Sequence, residues 1–224
     1  MLSQVLLSLL SAPTVLVGFE GTIYRPAVDT GLGGATPYAD VFGTGRGPLL
    51  GGELGCAFPI LPDLALTGTI ELSHFGTSAY AFVDDSGGST PASTGQRSGG
   101  KTSLDVTPLS VSLGLRFTSL ATRLKVPLIP YAQLGLAHAW WLVGRGDGTE
   151  AASGGTWGLS LVGGLGLELL GLEPHASRMI GDEFGVRSVM LQASVRRLWL
   201  DGFGQRSQLP LSDTAWAFGL ELGF

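Results

Sequence analysis

The chain ends in Ala215-Trp216-Ala217-Phe218-Gly219-Leu220-Glu221-Leu222-Gly223-Phe224. Bulky apolar residues alternate with small or acidic ones throughout this stretch. Successive side chains of a strand point to opposite faces, so a period of two predicts a strand with one apolar face and one small, polar face. The apolar set is Trp216, Phe218, Leu220, Leu222 and Phe224.

Seven earlier segments show the same alternation, and turn-rich stretches separate them. They occupy residues 15–23, 50–58, 64–73, 109–117, 131–140, 157–168 and 189–199. Segments of this length that alternate and are separated by turn residues are typical of membrane barrels. The sequence therefore predicts an all-β fold, an eight-stranded antiparallel up-and-down transmembrane β-barrel, with ten strands as the alternative.

Composition indicates which face of the strands points outward. The chain combines 44% hydrophobic residues with only 14% charged ones and 36 glycines. A soluble lipocalin-like barrel would hide its apolar face inside and needs a charged exterior, whereas Lys101 and Lys125 are the only lysines. Small inward residues fit a narrow polar interior, so we predict that the apolar face contacts lipid.

The same totals exclude several classes of function. No run of about 18 uninterrupted apolar residues is present, which argues against a membrane-spanning helix. A net charge of -5 with dispersed basic residues argues against a nucleic-acid partner. Cys56 is the sole cysteine, so an intrachain disulfide and a multi-cysteine metal site are excluded.

The connections predict the orientation, because outer-membrane barrels alternate short periplasmic turns with long external loops. Residues 26–48, 76–103, 144–156 and 201–213 are long or rich in Gly, Ser and Asp, whereas 59–63 and 118–127 are shorter. Residues 171–187 break this alternation, and Glu173 to Phe184, with Pro174 in a first turn, predicts one short periplasmic helix. Both termini are then expected in the periplasm.

The N-terminal segment is treated separately from the barrel, which is assigned to residues 13–224. Residues 1–12 are apolar and end in a small residue, which predicts the remnant of a secretory signal peptide without its usual basic start. The alternative is a disordered or interfacial N-terminal extension.

Aromatic residues are expected to mark the two lipid boundaries. Six of them fall at strand ends next to the proposed external loops and predict an outer aromatic girdle: Tyr24, Trp140, Trp141, Trp157, Trp199 and Trp216. Phe58, Phe117 and Phe224 lie at the opposite ends and predict the inner girdle. Arg197, on the outward face near the upper boundary, is expected to extend towards lipid phosphates.

Polar residues on the inward face predict an interior network: Glu20, Glu53, Glu71, Arg116, Gln133, Glu168, Gln192, Arg196 and Glu221. Strand heights predict Arg116 with Glu168 and Glu221 in a lower layer, and Arg196 with Glu20, Glu53 and Glu71 in an upper layer. Buried charges require partners, so this set replaces an apolar core. The excess of acids has to be answered by protons, water or cations, and any water path is expected to prefer cations.

Three sequence patterns that could indicate nucleotide binding, metal binding or catalysis lack the surrounding structure that these functions need. Gly95-Gln96-Arg97-Ser98-Gly99-Gly100-Lys101-Thr102 matches a phosphate-binding loop, but neither a preceding apolar strand nor a following helix is predicted. His74, His138 and His175 have no metal-site spacing. Ser73, His74 and Asp84 could form a catalytic triad only on paper, because Ser73 and His74 point to opposite faces. No cofactor, metal or nucleotide is predicted.

Several short motifs resemble a known family. The terminal strand with its final phenylalanine resembles the C-terminal signal of bacterial outer-membrane barrels. Tyr24-Arg25-Pro26, Thr107-Pro108-Leu109-Ser110, Pro130-Tyr131 and Asp182-Glu183-Phe184-Gly185-Val186 resemble myxobacterial outer-membrane β-barrel proteins, and more broadly small barrels of the OmpA, OmpX and OmpW type. This resemblance implies the fold, the outer membrane, and recognition of Trp216, Phe218, Leu220, Leu222 and Phe224 by the barrel assembly machinery.

The sequence thus predicts a monomer with a packed polar interior and a structural or surface-interaction role. Its expected partners are outer-membrane lipid and lipopolysaccharide. Eight strands leave an interior that side chains fill, which disfavours an open pore. A narrow cation-preferring channel for ions or small solutes is the second hypothesis, and a barrel-type outer-membrane enzyme is the third.

Overall fold

The computed structural model describes residues 13–30, 32–82, 97–145, 150–170, 172, 183–205 and 208–224. These residues form a closed antiparallel barrel in which each strand pairs with the next and β8 pairs with β1. The strands are β1 (Thr14–Tyr24), β2 (Gly47–Leu61), β3 (Leu64–Phe82), β4 (Arg97–Phe117), β5 (Leu128–Gly144), β6 (Glu150–Glu168), β7 (Ser188–Leu200) and β8 (Asp213–Gly223). The predicted fold is confirmed, and the barrel closes with eight strands rather than ten.

The outward face of the barrel is apolar, as the alternation predicts. Leu54, Leu113 and Phe218 are 59%, 66% and 64% exposed. Their strand neighbours point inward and include buried Ser112 and Ala217. Such a continuous exposed apolar surface is rare on soluble proteins and is the surface that a hydrocarbon environment favours.

The two ends of the barrel differ. Both chain termini lie at one end, where the backbone N–H of Phe224 donates to the carbonyl of Val15 at 2.9 Å. We call this the terminal end; the connections 62–63, 118–127 and 169–187 belong to it. The connections 25–46, 83–96, 145–149 and 201–212 belong to the opposite end, which we call the loop end. The predicted alternation of short and long connections is present only in part, because 145–149 at the loop end is shorter than 118–127 and 169–187 at the terminal end.

Three strands extend further towards the loop end than predicted. The segment 76–103 was expected to be a loop, but β3 continues to Phe82 and β4 begins at Arg97, with Thr77 opposite Leu104 and Tyr80 opposite Lys101. Likewise β6 begins at Glu150, within the expected loop 144–156. Backbone hydrogen bonds sustain a hairpin beyond the apolar belt, where the side chains no longer alternate.

Two short helices lie in the connections, α1 (Pro37–Phe42) and α2 (Ser119–Arg123). In α1 the backbone N–H groups of Tyr38 and Ala39 donate to the Asp29 carboxylate at 2.7 and 3.2 Å, and this satisfies the open N-terminus. Within the described residues, no helix has the length and apolarity needed to cross a membrane. Most of the predicted helix Glu173 to Phe184 lies outside the described residues, as does the segment 1–12.

Candidate functional site

Inside the barrel, a polar layer is centred on Arg196. Its guanidinium binds both carboxylate oxygens of Glu71, with Nη2 donating to Oε2 at 2.5 Å, and Nη2 lies 2.7 Å from Oε1 of Glu20. Glu71 also accepts a hydrogen bond from the Ser73 hydroxyl at 2.6 Å. Arg196 and Glu71 are almost fully buried, so each charge depends on the other.

A second ion pair lies nearer the terminal end. Arg116 donates to both carboxylate oxygens of Glu221, with Nη1 and Oε1 2.5 Å apart. Gln192 Nε2 donates to Glu221 at 3.0 Å, and the Tyr131 hydroxyl donates to Gln192 Oε1 at 3.2 Å. The structure thus brings Arg116 and Glu221 together, as the strand heights predict.

Three predicted members of the network have different surroundings. Glu168 accepts the backbone N–H of Val189 at 3.1 Å and forms no ion pair with Arg116, and its place in the lower layer stays a prediction. Glu53 lies opposite Glu71 in the β2–β3 register, at the height that the predicted upper layer requires, but its Oε1 is buried without a hydrogen-bond partner. Gln133 is buried against Gly114. Strand height fixes the level of each residue in the barrel, whereas the length and direction of its side chain decide these contacts.

The polar layer is acidic. Four inward carboxylates face two guanidinium groups in the described part of the interior: Glu20, Glu53, Glu71 and Glu221 against Arg116 and Arg196. In a medium that excludes water, the excess negative charge has to be neutralised by protons or cations.

An apolar layer closes the interior on the loop-end side of the polar layer. It consists of the buried residues Tyr24, Tyr38, Leu49, Phe75, Leu104, Val106, Ala137, Ala139, Leu198, Leu200 and Leu211. The rings of Tyr24 and Phe75 meet edge to face with centroids 5.1 Å apart. The Tyr24 hydroxyl donates to the Leu211 carbonyl at 2.5 Å, which ties the last loop to the barrel. The predicted packed polar interior is therefore limited to the middle of the barrel.

Two of the six residues of the predicted outer girdle point inward. Tyr24 is 1% exposed and Trp141 packs partly against the apolar layer, so their assignment to the girdle is wrong. The alternation along each strand explains why both side chains point inward: Tyr24 lies on the same face as Glu20, and Trp141 on the same face as Gln133. Tyr38 belongs to the same apolar layer but comes from helix α1 in the first loop, and burial raises the pKa of its hydroxyl.

The other four girdle residues do face outward near the loop end. Trp140, Trp157 and Trp216 are about half exposed or more, and the Arg197 guanidinium lies 5.3 Å from the Trp199 ring centroid. His138 stands between Trp140 and Trp157, with centroid distances of 4.7 and 4.5 Å. This ring of amphipathic side chains is the arrangement found at lipid–water boundaries.

The terminal strand shows the predicted sidedness. Trp216, Phe218 and Leu220 face outward, while Glu221 between the apolar residues points into the polar layer. Phe224 lies beside Val15 at the terminal end. Recognition of this strand by an assembly machinery stays a prediction.

At the loop end, the first and last loops enclose a cleft of about 910 Å³. One wall is lined by described residues of the first loop and the other by described residues of the last loop: Val28, Thr30, Leu32 and Pro37, and Asp201, Gly204, Gln205, Gln208, Leu209 and Pro210. Trp141, which enters from β5, lies at its base. Sequence reasoning missed this cleft, because only barrel closure, which pairs β1 with β8, makes the two loops neighbours.

The described residues give no support to the phosphate-binding loop or to the catalytic triad considered from the sequence. Residues 97–102 of the match to a phosphate-binding loop lie in β4, so no helix follows the loop. Ser73 is buried inside the barrel, while His74 is exposed outside it, with Nδ1 3.1 Å from Thr107 Oγ1. Asp84 lies outside the described residues. Within the described residues, no three His, Cys, Asp or Glu side chains are grouped as metal ligands would be.

No protein-family model and no curated protein matches the chain. Among solved structures it is similar to Ail, the attachment invasion locus protein of Yersinia pestis, with a TM-score of 0.50, 15% identity, and coverage of 95% of this chain and 97% of Ail. Neisserial surface protein A gives 0.45 and 12%, with 94% of each chain covered. OprG of Pseudomonas aeruginosa gives 0.44 and 9%, with 95% of each chain covered. At 15% identity the similarity to Ail shows the fold alone, which is that of the small outer-membrane β-barrels.

Proposed function

We propose that this chain is a monomeric integral outer-membrane protein that makes surface contacts through its loop end. Both termini would lie in the periplasm, and the outward apolar face would contact lipid, with lipopolysaccharide in the outer leaflet. The barrel assembly machinery would recognise β8 during insertion. The resemblance to myxobacterial proteins would place it in a Gram-negative envelope.

The closed interior is the observation that carries this proposal. The Arg196 and Arg116 ion pairs fill the middle of the barrel, and Tyr24 and Phe75 belong to an apolar layer nearer the loops. Two consecutive packed layers disfavour an open water path. The loop end, in contrast, carries an ordered first loop and a cleft, so contact with other molecules is the task that this architecture supports best. Ail, which shares the fold, was crystallised with a heparin analogue.

Labelling of intact cells tests the orientation. In a Cys56→Ala background, Leu32→Cys places a thiol on the first loop and Leu124→Cys places one at the terminal end; both leucines are exposed. A membrane-impermeant maleimide is expected to label the loop-end thiol in intact cells and the terminal-end thiol only after permeabilisation. Labelling of the terminal-end thiol in intact cells would contradict the proposed orientation.

A narrow cation channel is the second candidate, favoured by the four carboxylates that face two arginines. Single-channel recording on refolded protein separates the two functions. A sealed barrel shows no discrete conductance steps, whereas steps with potassium preferred over chloride would support the channel. Equal permeation of both ions would contradict cation preference. Heat-modifiable migration on gels would verify that the barrel is folded in each preparation.

A further inference from the structure

We propose that the cleft at the loop end binds an uncharged glycan, an inference that rests on the proposed surface-contact role and names its ligand class. The cleft volume of about 910 Å³ suits a short oligosaccharide. Small-molecule sites typically measure roughly 300–1,000 Å³ and combine apolar walls with a few placed polar groups.

Both walls are held in place before any ligand binds. In the first loop, Asp29 caps α1 and pairs with Arg25 at 3.2 Å. In the last loop, Leu211 is buried in the apolar layer and Thr156 Oγ1 donates to the Leu209 carbonyl at 3.1 Å. A preformed cleft spares the ligand the entropic cost of ordering its site.

The polar groups of the cleft suit hydroxyl groups. Gln205, Gln208 and Asp201 line it. Gln208 Nε2 donates to Gln205 Oε1 at 3.3 Å, while Gln208 Oε1 is buried and has no hydrogen-bond partner among the described residues. The exposed amide of Gln205 and the partly exposed carboxylate of Asp201 can bond to ligand hydroxyl groups, because an amide both donates and accepts and a carboxylate accepts.

The apolar groups of the cleft suit the other face of a sugar ring. Trp141 lies at the base, with Val28, Leu32, Pro37 and Leu209 around it. A pyranose has one face of C–H groups that packs on a flat indole, while its hydroxyl edges reach amide and carboxylate groups.

Among the described lining residues, the charge balance of the cleft disfavours anionic ligands. Asp201 is the charged residue among the described lining residues, and no lysine, arginine or histidine belongs to that lining. Arg25 and Arg46 of the first loop are engaged by Asp29 and Asp213, at 3.2 and 2.9 Å. A sulfated or phosphorylated sugar would bring uncompensated negative charge towards Asp201.

An extended peptide is a poorer occupant. Trp141 is the one described lining residue that belongs to a strand, and β5 is paired on both sides, with β4 and β6. The cleft therefore offers no open strand edge, which peptide recognition by strand addition requires.

Neighbouring tryptophans provide a matched pair of variants for the test. Trp141 points into the cleft, while Trp140 points outward from the same strand. The folded protein, in a detergent without a sugar headgroup, is applied to an array of neutral, sulfated and sialylated oligosaccharides. The wild type is expected to bind neutral glycans, Trp141→Leu to weaken that binding about tenfold, and Trp140→Leu to leave it unchanged.

Folding of each variant is verified by heat-modifiable migration. If Trp141→Leu does not fold, Gln205→Ala on the exposed wall of the cleft carries the test, with the same expected loss. Three outcomes would overturn the inference: no neutral glycan is bound, sulfated glycans are preferred, or the cleft variant and Trp140→Leu bind equally. If the labelling experiment succeeds while the array fails, the surface-contact role stands and the glycan proposal alone is wrong.

Discussion

Arg196 and Leu200 lie four residues apart on the inward face of β7, yet they belong to opposite kinds of interior. Around Arg196 the barrel wall is rich in inward glycines: a Cβ on Gly51 would lie 2.4 Å from Ser73 Oγ, and one on Gly219 would lie 2.8 Å from a backbone oxygen. Around Leu200, bulky apolar side chains fill the space. Glycines leave room for long charged side chains, whereas the layer near the loops is packed like an ordinary core.

The largest expected effect comes from breaking the polar layer. Arg196→Met removes the guanidinium that holds Glu20 and Glu71 and leaves both carboxylates buried without it. We expect the free energy of unfolding to fall by about 4 kcal/mol, measured by urea titration in lipid vesicles. Arg197→Met is the matched control: this neighbouring arginine faces outward to Thr214, and its loss should cost no more than about 1 kcal/mol. Equal losses in the two variants would contradict the assignment.

The apolar layer should respond to volume rather than to charge. Leu200→Ala is expected to cost about 3 kcal/mol in the same titration, because Leu200 is fully buried and its truncation leaves a cavity. Leu191→Ala, outward on the same strand, is the control, since lipid chains can occupy the vacated space. A loss at Leu191 as large as that at Leu200 would mean that the loop-end interior is not packed as a core.

The smallest effect is expected at Glu53, the carboxylate without a partner in the polar layer. Glu53→Gln removes a negative charge near Glu71 and Glu221, so the free energy of unfolding should stay the same or rise by less than about 1 kcal/mol. Glu71→Gln is the control: Arg196 binds the Glu71 carboxylate, so this substitution should destabilise the barrel. Destabilisation by Glu53→Gln would indicate that Glu53 has a stabilising partner.

Strand parity predicted more of the interior than the placement of aromatics did. The alternation around Glu20, Glu71, Arg116 and Arg196 placed all four correctly inside. Tyr24 and Trp141 were assigned by their closeness to strand ends, although their parity points inward. Proximity to a boundary reports height along the barrel, and it carries no information about which face a side chain takes.

The loops resisted prediction for a different reason. Asp29 caps α1 from nine residues before Tyr38, and no short sequence motif encodes a cap at that distance. The extension of β3 and β4 beyond the apolar belt depends on ladder hydrogen bonds, which any residue except proline can make. Composition therefore marked these segments as loops while the backbone formed a hairpin.

By itself, the sequence determined the eight alternating segments, their sidedness and the acidic excess of the interior, because alternation is a local consequence of the pleated backbone. The tertiary structure alone decided that Glu53 and Glu168 form no ion pair with the two arginines and that the first and last loops share a cleft. These contacts depend on how far neighbouring strands are staggered when the sheet closes on itself, so residues far apart in the chain meet only after β8 pairs with β1.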